Sequence, residues 1–335
     1  MSLGYLLRRI LTFFVVMWAA TTLIFFLPKL APGRDPIQER MAMLNATGSV
    51  SSADISEMVA AYQKNFGLDQ PLYLQYIRYL GNMATLDFNY SLAQYPAKVI
   101  DLIAVSLPWT VGLLTMTTLI SFTLGSLLGG ILAWPRAPGW LKYLLPPLVT
   151  FSAVPYYLLG IIFMHVFAYT LKIFPLGGGS SVGVMPSYTV EYALDIAKHA
   201  VLPAMSIVTA AVGFWTLAMR GMTVTTMGED YMILAEAKGL PATRIFFWYA
   251  LRNALLPQTT ALALSLGTLV SGALLVEIIF RFPGMGTLLY RSVSTFDYFA
   301  IYGVVFIVIV GICFATLIID LLYPVLDPRI RYHRA

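Results

Sequence analysis

From Tyr298 to Ile319 the chain reads YFAIYGVVFIVIVGICFATLII, 22 residues without a charge. As a helix this run rises about 33 Å at 1.5 Å per residue, enough to cross the roughly 30 Å hydrocarbon layer of a bilayer. The rest of the sequence agrees with it. Of 335 residues, 59% are hydrophobic and only 11% are charged, against roughly 25% charged in soluble domains. A soluble fold and intrinsic disorder are both excluded. The net charge of +5 does not point to nucleic acid, because no Lys/Arg stripe forms and the basic residues sit at the ends of apolar runs. The single cysteine, Cys313, lies inside the quoted run, so neither a disulfide framework nor a cysteine metal site arises.

Working outward, five more stretches are long enough to span: Ile10 to Leu27, one within Leu107 to Trp134, one within Tyr143 to Thr170, His199 to Met219, and Asn253 to Val276. The expected class is an all-α polytopic membrane protein with six transmembrane helices. The first run follows Arg8 and Arg9 as a signal peptide would. It is long, however, carries Trp18 and Phe25-Phe26-Leu27, and lacks a small-residue cleavage site, so it reads as a retained anchor.

Six crossings place both termini on one side, and the positive-inside rule makes that side cytoplasmic. The inside then holds Arg8, Arg9, Arg136, Lys142, Arg220, Lys238, Arg244, Arg252, Arg329, Arg331 and Arg334, against only Lys172, Lys198, Arg281 and Arg291 in the short outer loops. The expected divisions are 1–30 for the tail and first helix, 31–101 for a periplasmic helical insertion, and 102–335 for a five-helix core. In the insertion, Ser51 to Asp54 fits an S-x-x-D helix start. Ile55, Met58, Val59, Tyr62 and Phe66 follow on one face, Gly67 stops the helix, and Leu72, Tyr76, Tyr79 and Leu80 resume an apolar stripe.

The inner loop 220–252 is far longer than two antiparallel helices need. Its stretch Gly228-Glu229-Asp230-Tyr231-Met232-Ile233-Leu234-Ala235-Glu236-Ala237-Lys238-Gly239-Leu240-Pro241 begins with acids suited to a helix N-terminus and continues with good helix formers. Gly239 and Pro241 then stop it. A second short helix starts near Ala242 and runs through Arg244 to Leu251. Two short helices with a glycine corner make a rigid knob below the bundle.

Ala235 to Leu240 and Ala250-Leu251-Arg252-Asn253-Ala254-Leu255-Leu256-Pro257 resemble the coupling loop of the permease subunits of binding-protein-dependent ABC importers, in the dipeptide/oligopeptide permease family. Further matching stretches are Leu7-Arg8-Arg9, Leu30-Ala31-Pro32-Gly33, Phe66-Gly67-Leu68-Asp69-Gln70-Pro71, Ser106-Leu107-Pro108, Phe174-Pro175-Leu176-Gly177, His199-Ala200-Val201-Leu202-Pro203, Glu277-Ile278-Ile279-Phe280 with Pro283-Gly284-Met285-Gly286, and Asp320-Leu321-Leu322-Tyr323 with Leu326-Asp327-Pro328-Arg329. The long segment after the first helix resembles the B-type member of the permease pair. Two departures stand out. Leu86-Asp87-Phe88-Asn89 occupies the place of the family's Gly-Asp-Phe-Gly, implying a different local turn, and Met232, Leu234 and Glu236 occur where Arg is common.

The resemblance implies a type I ABC importer permease fold in the bacterial inner membrane, forming half of a translocation pathway. Its implied partners are a second homologous permease, two ATP-binding cassette ATPase subunits that hold ATP and Mg, a periplasmic substrate-binding protein, and membrane lipid. Tyr231, Ala235, Glu236, Ala237, Lys238, Gly239 and Leu240 are the implied ATPase-coupling residues. No catalytic, cofactor or metal residue is expected on this chain. The implied cargo is di- or oligopeptide, with oligosaccharide or nickel as the alternatives that relatives carry.

Other residues admit bland readings beside functional ones. Glu277 is either a gate near the outer mouth or an interfacial carboxylate beside Arg281 at i and i+4. Asp320 is a functional intramembrane charge or a partner of the basic tail. His165 is a proton relay or a packed histidine. Gly125, Gly129 and Gly130 suit close helix packing, and Pro146, Pro147 and Pro155 should kink the third helix. Trp109, Phe151, Tyr156, Tyr157 and Trp215 could line a cargo route or face lipid and other helices. A membrane enzyme lacks support, because H-E-x-x-H is missing and only three histidines occur. An autonomous channel or secondary carrier would show repeats or several intramembrane charges and leaves the knob unexplained. The lack of a G-x-x-x-x-G-K-[ST] loop puts ATP hydrolysis on another chain.

Overall fold

A computed structural model describes residues 3–26, 70–267 and 274–326. These residues are helical, with one isolated bridge between Tyr90 and Lys98. Numbered within the described residues, the helices are α1 (Leu3–Phe26), α2 (Leu72–Ala84), α3 (Val99–Ala133), α4 (Leu145–Ala153), α5 (Tyr156–Phe163), α6 (Val190–Met227), α7 (Asp230–Ala237), α8 (Arg252–Gly267), α9 (Leu274–Ile279), α10 (Met285–Ser294) and α11 (Tyr298–Leu326). A 3-10 turn, Gly139–Leu144, leads into α4, a π turn, Met164–Thr170, extends α5, and Ala242–Arg244 with a π turn, Ile245–Leu251, leads into α8. Four helices, α1, α3, α6 and α11, are long and apolar enough to cross a membrane, or five spans if the bent α4–α5 pair counts as one. The fifth expected span, Asn253 to Val276, includes residues 268–273, which lie outside the described residues, as do the expected helix of Ile55 to Phe66 and the basic tail.

The prolines of the third span act differently from one another. Pro146 and Pro147 sit in the first turn of α4, where a missing N–H costs nothing, so they initiate rather than kink. Pro155 instead breaks the helix. It forces Val154 into extended backbone (φ −85°, ψ 127°), as the residue before a proline must be, and the two halves meet at 100°.

The chain divides into two compact units. The first takes the described residues within Met1–Thr110 and Gly284–Leu317. Its core joins Phe25 of α1, Tyr79 and Met83 of α2, Phe88, Val99 and Ile103, Leu288 of α10, and Tyr302, Val304 and Phe306 of α11. The expected stripe on α2 is partly realised: Tyr76, Tyr79 and Leu80 face this core, whereas Leu72 is exposed. Asp297 is buried at the start of α11, where its carboxylate accepts from Ser91 Oγ and from the amides of Ala93 (3.1 Å) and Ala300 (3.2 Å). That charge is fully used in capping α11 and holding the 91–93 loop. Leu86 and Asn89 have φ of +58° and +61°. Both values lie in the left-handed region that glycine favours.

The second unit takes the described residues within Val111–Pro283 and Ile318–Ala335. At its centre α6 is pressed closely on two sides. A Cβ placed on Gly125 would lie 2.3 Å from Trp215 Cβ, and one on Gly129 would lie 2.3 Å from the Thr216 carbonyl oxygen. The glycines of α3 thus bring the two backbones together as their four-residue spacing predicts. On another side, Gly213 of α6 meets the Leu148 carbonyl and Ser152 of α4. The expected span of His199 to Met219 is the middle of a longer helix, capped at its start by Thr189, whose hydroxyl accepts from the Tyr192 amide at 3.3 Å.

Candidate functional site

The knob is built from α6 onward. Past Met219 the helix continues two more turns and ends at Met227, with Gly228 as its C-cap. Glu229 then serves as N-cap residue of α7 and Asp230 occupies its first turn, where negative charge suits the helix dipole. Eight residues later the helix stops in a complete Schellman turn. Gly239 has φ +69°, its amide donates to the Glu236 carbonyl at 2.8 Å, and the Leu240 amide donates to the Ala235 carbonyl at 3.4 Å. Only glycine enters that left-handed position without steric cost.

An eight-residue helix is too short to be stable alone, so packing must hold it. Met232 and Ala235, one turn apart, are buried against Ile245, Phe246 and Ala250 of the returning segment, with Trp134, Met227, Leu240, Tyr249 and Leu251 around them. Trp134, just past α3, stacks on Phe246 at 5.2 Å between ring centroids. The knob is therefore fixed to the ends of three longer helices.

This packing sorts the expected coupling residues. Ala235 is 2% exposed and belongs to the knob's own core, and Leu240 is half-buried beside it. Tyr231, Glu236, Ala237, Lys238 and Gly239 are exposed. Two residues outside the expected coupling set, Ile233 at 63% exposure and Leu234 at 56%, present large apolar side chains of α7 to the outside. The only sequence signal for them was their place one and two positions after Met232, since four successive apolar residues carry no helical period.

At the other end of the same unit, two of the quoted stretches meet. The Gly178 amide donates to the Phe280 carbonyl at 2.8 Å, and a Cβ on Gly177 would lie 2.4 Å from that oxygen. Phe280 is buried with Leu202, Val276 and Ala168, and Phe174 packs on the same cluster. Ser181 donates through both its amide and its hydroxyl to Asp195 of α6, each at 2.6 Å, so the loop is tied to the helix that leads down to the knob.

The single residues fall into place around these regions. Glu277 is fully buried, and α9 ends at Ile279 with Arg281 exposed at φ +50°. The i and i+4 face expected to align Glu277 with Arg281 therefore stops short of Arg281. His165 is exposed on the π turn and stacks on Tyr169 at 5.7 Å. Buried His199 contacts the Asp195 carbonyl through Nδ1 at 2.8 Å. The side chain of Asp320 lies outside the described residues. Trp215 is buried, edge-on to Phe122, while Phe151 is exposed and Tyr156 packs beside Phe280. Among the described residues no group of three His, Cys, Asp or Glu could hold a metal ion.

The family model for the binding-protein-dependent transport system inner membrane component matches residues 123–332. Across 98% of the chain the sequence is 32% identical to the oligopeptide transport system permease protein AppB of Bacillus subtilis (strain 168), of which it covers 99%. It is 29% identical to that organism's dipeptide transport system permease protein DppB, covering 98% of each chain. It is 30% identical to the glutathione transport system permease protein GsiC of Escherichia coli (strain K12), over 98% of this chain and 99% of that one.

Proposed function

The chain belongs to the family of binding-protein-dependent transport system inner membrane components, and we propose that it is a permease subunit of an ATP-driven importer of di- or oligopeptides. The cargo class rests on the oligopeptide, dipeptide and glutathione permeases to which it is similar along nearly its whole length. The chain is a transport component rather than an enzyme. It works with a second permease of the same kind, two ATPase subunits and a peptide-loaded binding protein on the outer face. Six spans with both termini cytoplasmic complete the topology, α8 and α9 together forming the fifth.

One observation carries the mechanism. The knob spends Met232 and Ala235 on its own core and leaves Ile233 and Leu234 exposed. An apolar ridge with Tyr231, Glu236 and Lys238 around it suits the groove of a protein partner, an apolar centre with a polar rim. Closure of the ATPases on nucleotide pushes the knob, and α6 and α8 carry the displacement into the bundle, which opens alternately to the two sides. Tyr231, Ile233, Leu234, Glu236, Ala237, Lys238 and Gly239 form the docking face. Ala235 and Leu240 position it from within.

The test is the complete complex in lipid nanodiscs, with the binding protein loaded with peptide. The expected result is that loaded binding protein stimulates ATP hydrolysis, and that Ile233→Ser with Leu234→Ser abolishes stimulation and uptake while the chain still assembles with the second permease. Normal stimulation in that double variant would overturn the docking face. Stimulation by an oligosaccharide-loaded binding protein in place of a peptide-loaded one would overturn the cargo.

A further inference from the structure

Two segments of the second unit lie side by side and share a chemistry that transport does not use. The elbow after α3, Trp134-Pro135-Arg136-Ala137-Pro138-Gly139-Trp140-Leu141-Lys142-Tyr143, meets the segment leading into α8 where Trp134 stacks on Phe246, and the end of α3 meets it at Leu251, whose Cδ1 would lie 2.5 Å from a Cβ on Gly130. Four cations, Arg136, Lys142, Arg244 and Arg252, are exposed on these segments. The sequence contains no Asp or Glu from 102 to 190 or from 237 to 276, and none of the four makes an ion pair among the described residues.

Large aromatic rings stand among these cations instead of packing inward. Trp140 is 63% exposed, Tyr143 is 70% exposed, and Trp248 is exposed to a similar degree. Lys142 Nζ lies 5.5 Å from the centroid of the Tyr143 ring. The elbow follows the last apolar turn of α3 and precedes Leu144 and Leu145, so its residues lie within a turn of the hydrocarbon. Exposed Trp and Tyr at that depth suit the headgroup layer, and a cluster of Lys and Arg between helix ends suits anionic headgroups.

We infer that Arg136, Trp140, Lys142, Tyr143, Trp248 and Arg252 form a surface that seats the phosphate headgroups of anionic phospholipids in the leaflet on the knob side. This rests on the cytoplasmic placement of the knob given above. The lipids hold the elbow against the segment entering α8, so the knob moves from a fixed footing.

The test uses the complete complex in liposomes containing either brominated phosphatidylglycerol or brominated phosphatidylcholine. The signal is the tryptophan fluorescence lost on going from wild type to Trp140→Phe. The expected result is stronger quenching by the brominated phosphatidylglycerol, with the preference falling by about fivefold for each cation removed in Arg136→Gln and Lys142→Gln. Equal quenching of that Trp140 signal by the two lipids overturns the inference without recourse to the cation variants. In a separate arm, Lys142→Cys is treated with a membrane-impermeant thiol reagent in right-side-out vesicles and in inverted membranes. Labelling from the inverted side with no phosphatidylglycerol preference sinks the lipid surface alone. Labelling from the outside sinks the orientation, and the lipid surface with it.

Discussion

The knob around α7 and the junction of Gly177 with Phe280 are built in opposite ways. Both lie in the second unit, both rest on a glycine, and both fall in stretches that resemble the same family. Within the knob, α7 hides Met232 and Ala235 and displays Ile233 and Leu234, whereas the junction hides Phe280 and joins backbone to backbone. Likeness of sequence thus marks two kinds of constraint. On the proposed function, one is fit to another protein; the other is closure of the chain on itself.

If that contrast is right, substitutions at the junction should damage stability and substitutions on the knob's outer face should damage transport alone. The largest loss is expected from Gly177→Ala, because its Cβ would sit 2.4 Å from a carbonyl oxygen that cannot move freely. A cost of about 3 kcal/mol follows from forced overpacking, read as a lowered midpoint of thermal unfolding in detergent. An unchanged midpoint would mean that the junction is not a weld. Met232→Ala should come next, at about 2 to 3 kcal/mol, through lost burial and a cavity in the knob's core. Here the unfolding midpoint should fall while the knob loses protection from proteolysis near Lys238.

Gly239→Ala should cost about 1 kcal/mol, since a Cβ there meets open space and only the left-handed backbone opposes it. The comparison sharpens on this pair. If Gly239→Ala proved worse than Gly177→Ala, the knob would be the more tightly built of the two regions. The smallest effect on stability, within about 0.5 kcal/mol, belongs to Ile233→Ser with Leu234→Ser, as for most exposed positions. Circular dichroism melts of wild type and variant should overlap, in contrast to the lost ATPase stimulation expected of the same protein.

Much of this architecture was legible before the structure, and the reasons are physical. Runs such as Tyr298 to Ile319 have one stable state in a bilayer, because a helix satisfies every backbone group internally. Gly239 before Pro241 announces a stop, and Gly125 with Gly129 announces a close neighbour. What escaped depended on partners distant in sequence. Met232, Ile233, Leu234 and Ala235 are all apolar, so nothing local told which would face Ile245 and Phe246. The pairing expected for Glu277 assumed a helix running to Arg281, but α9 ends two residues before it. Leu86 holds a left-handed backbone angle that a leucine does not advertise. Pro155 and Pro147 look alike as letters, and only their place relative to a helix start makes one a break and the other an initiator.

The unbroken run of α6 from Val190 to Met227 has a mechanical consequence. At 1.5 Å per residue, 38 helical residues make a rod of about 57 Å, nearly twice the thickness of the hydrocarbon it traverses. Its lower end enters the knob and its upper end carries the Asp195 clasp on Ser181. A tilt of about five degrees around the lower end would sweep the upper one through about 5 Å, the advance of about one helical turn. In such a lever, small angular play at the knob becomes movement of atomic dimensions at the far rim.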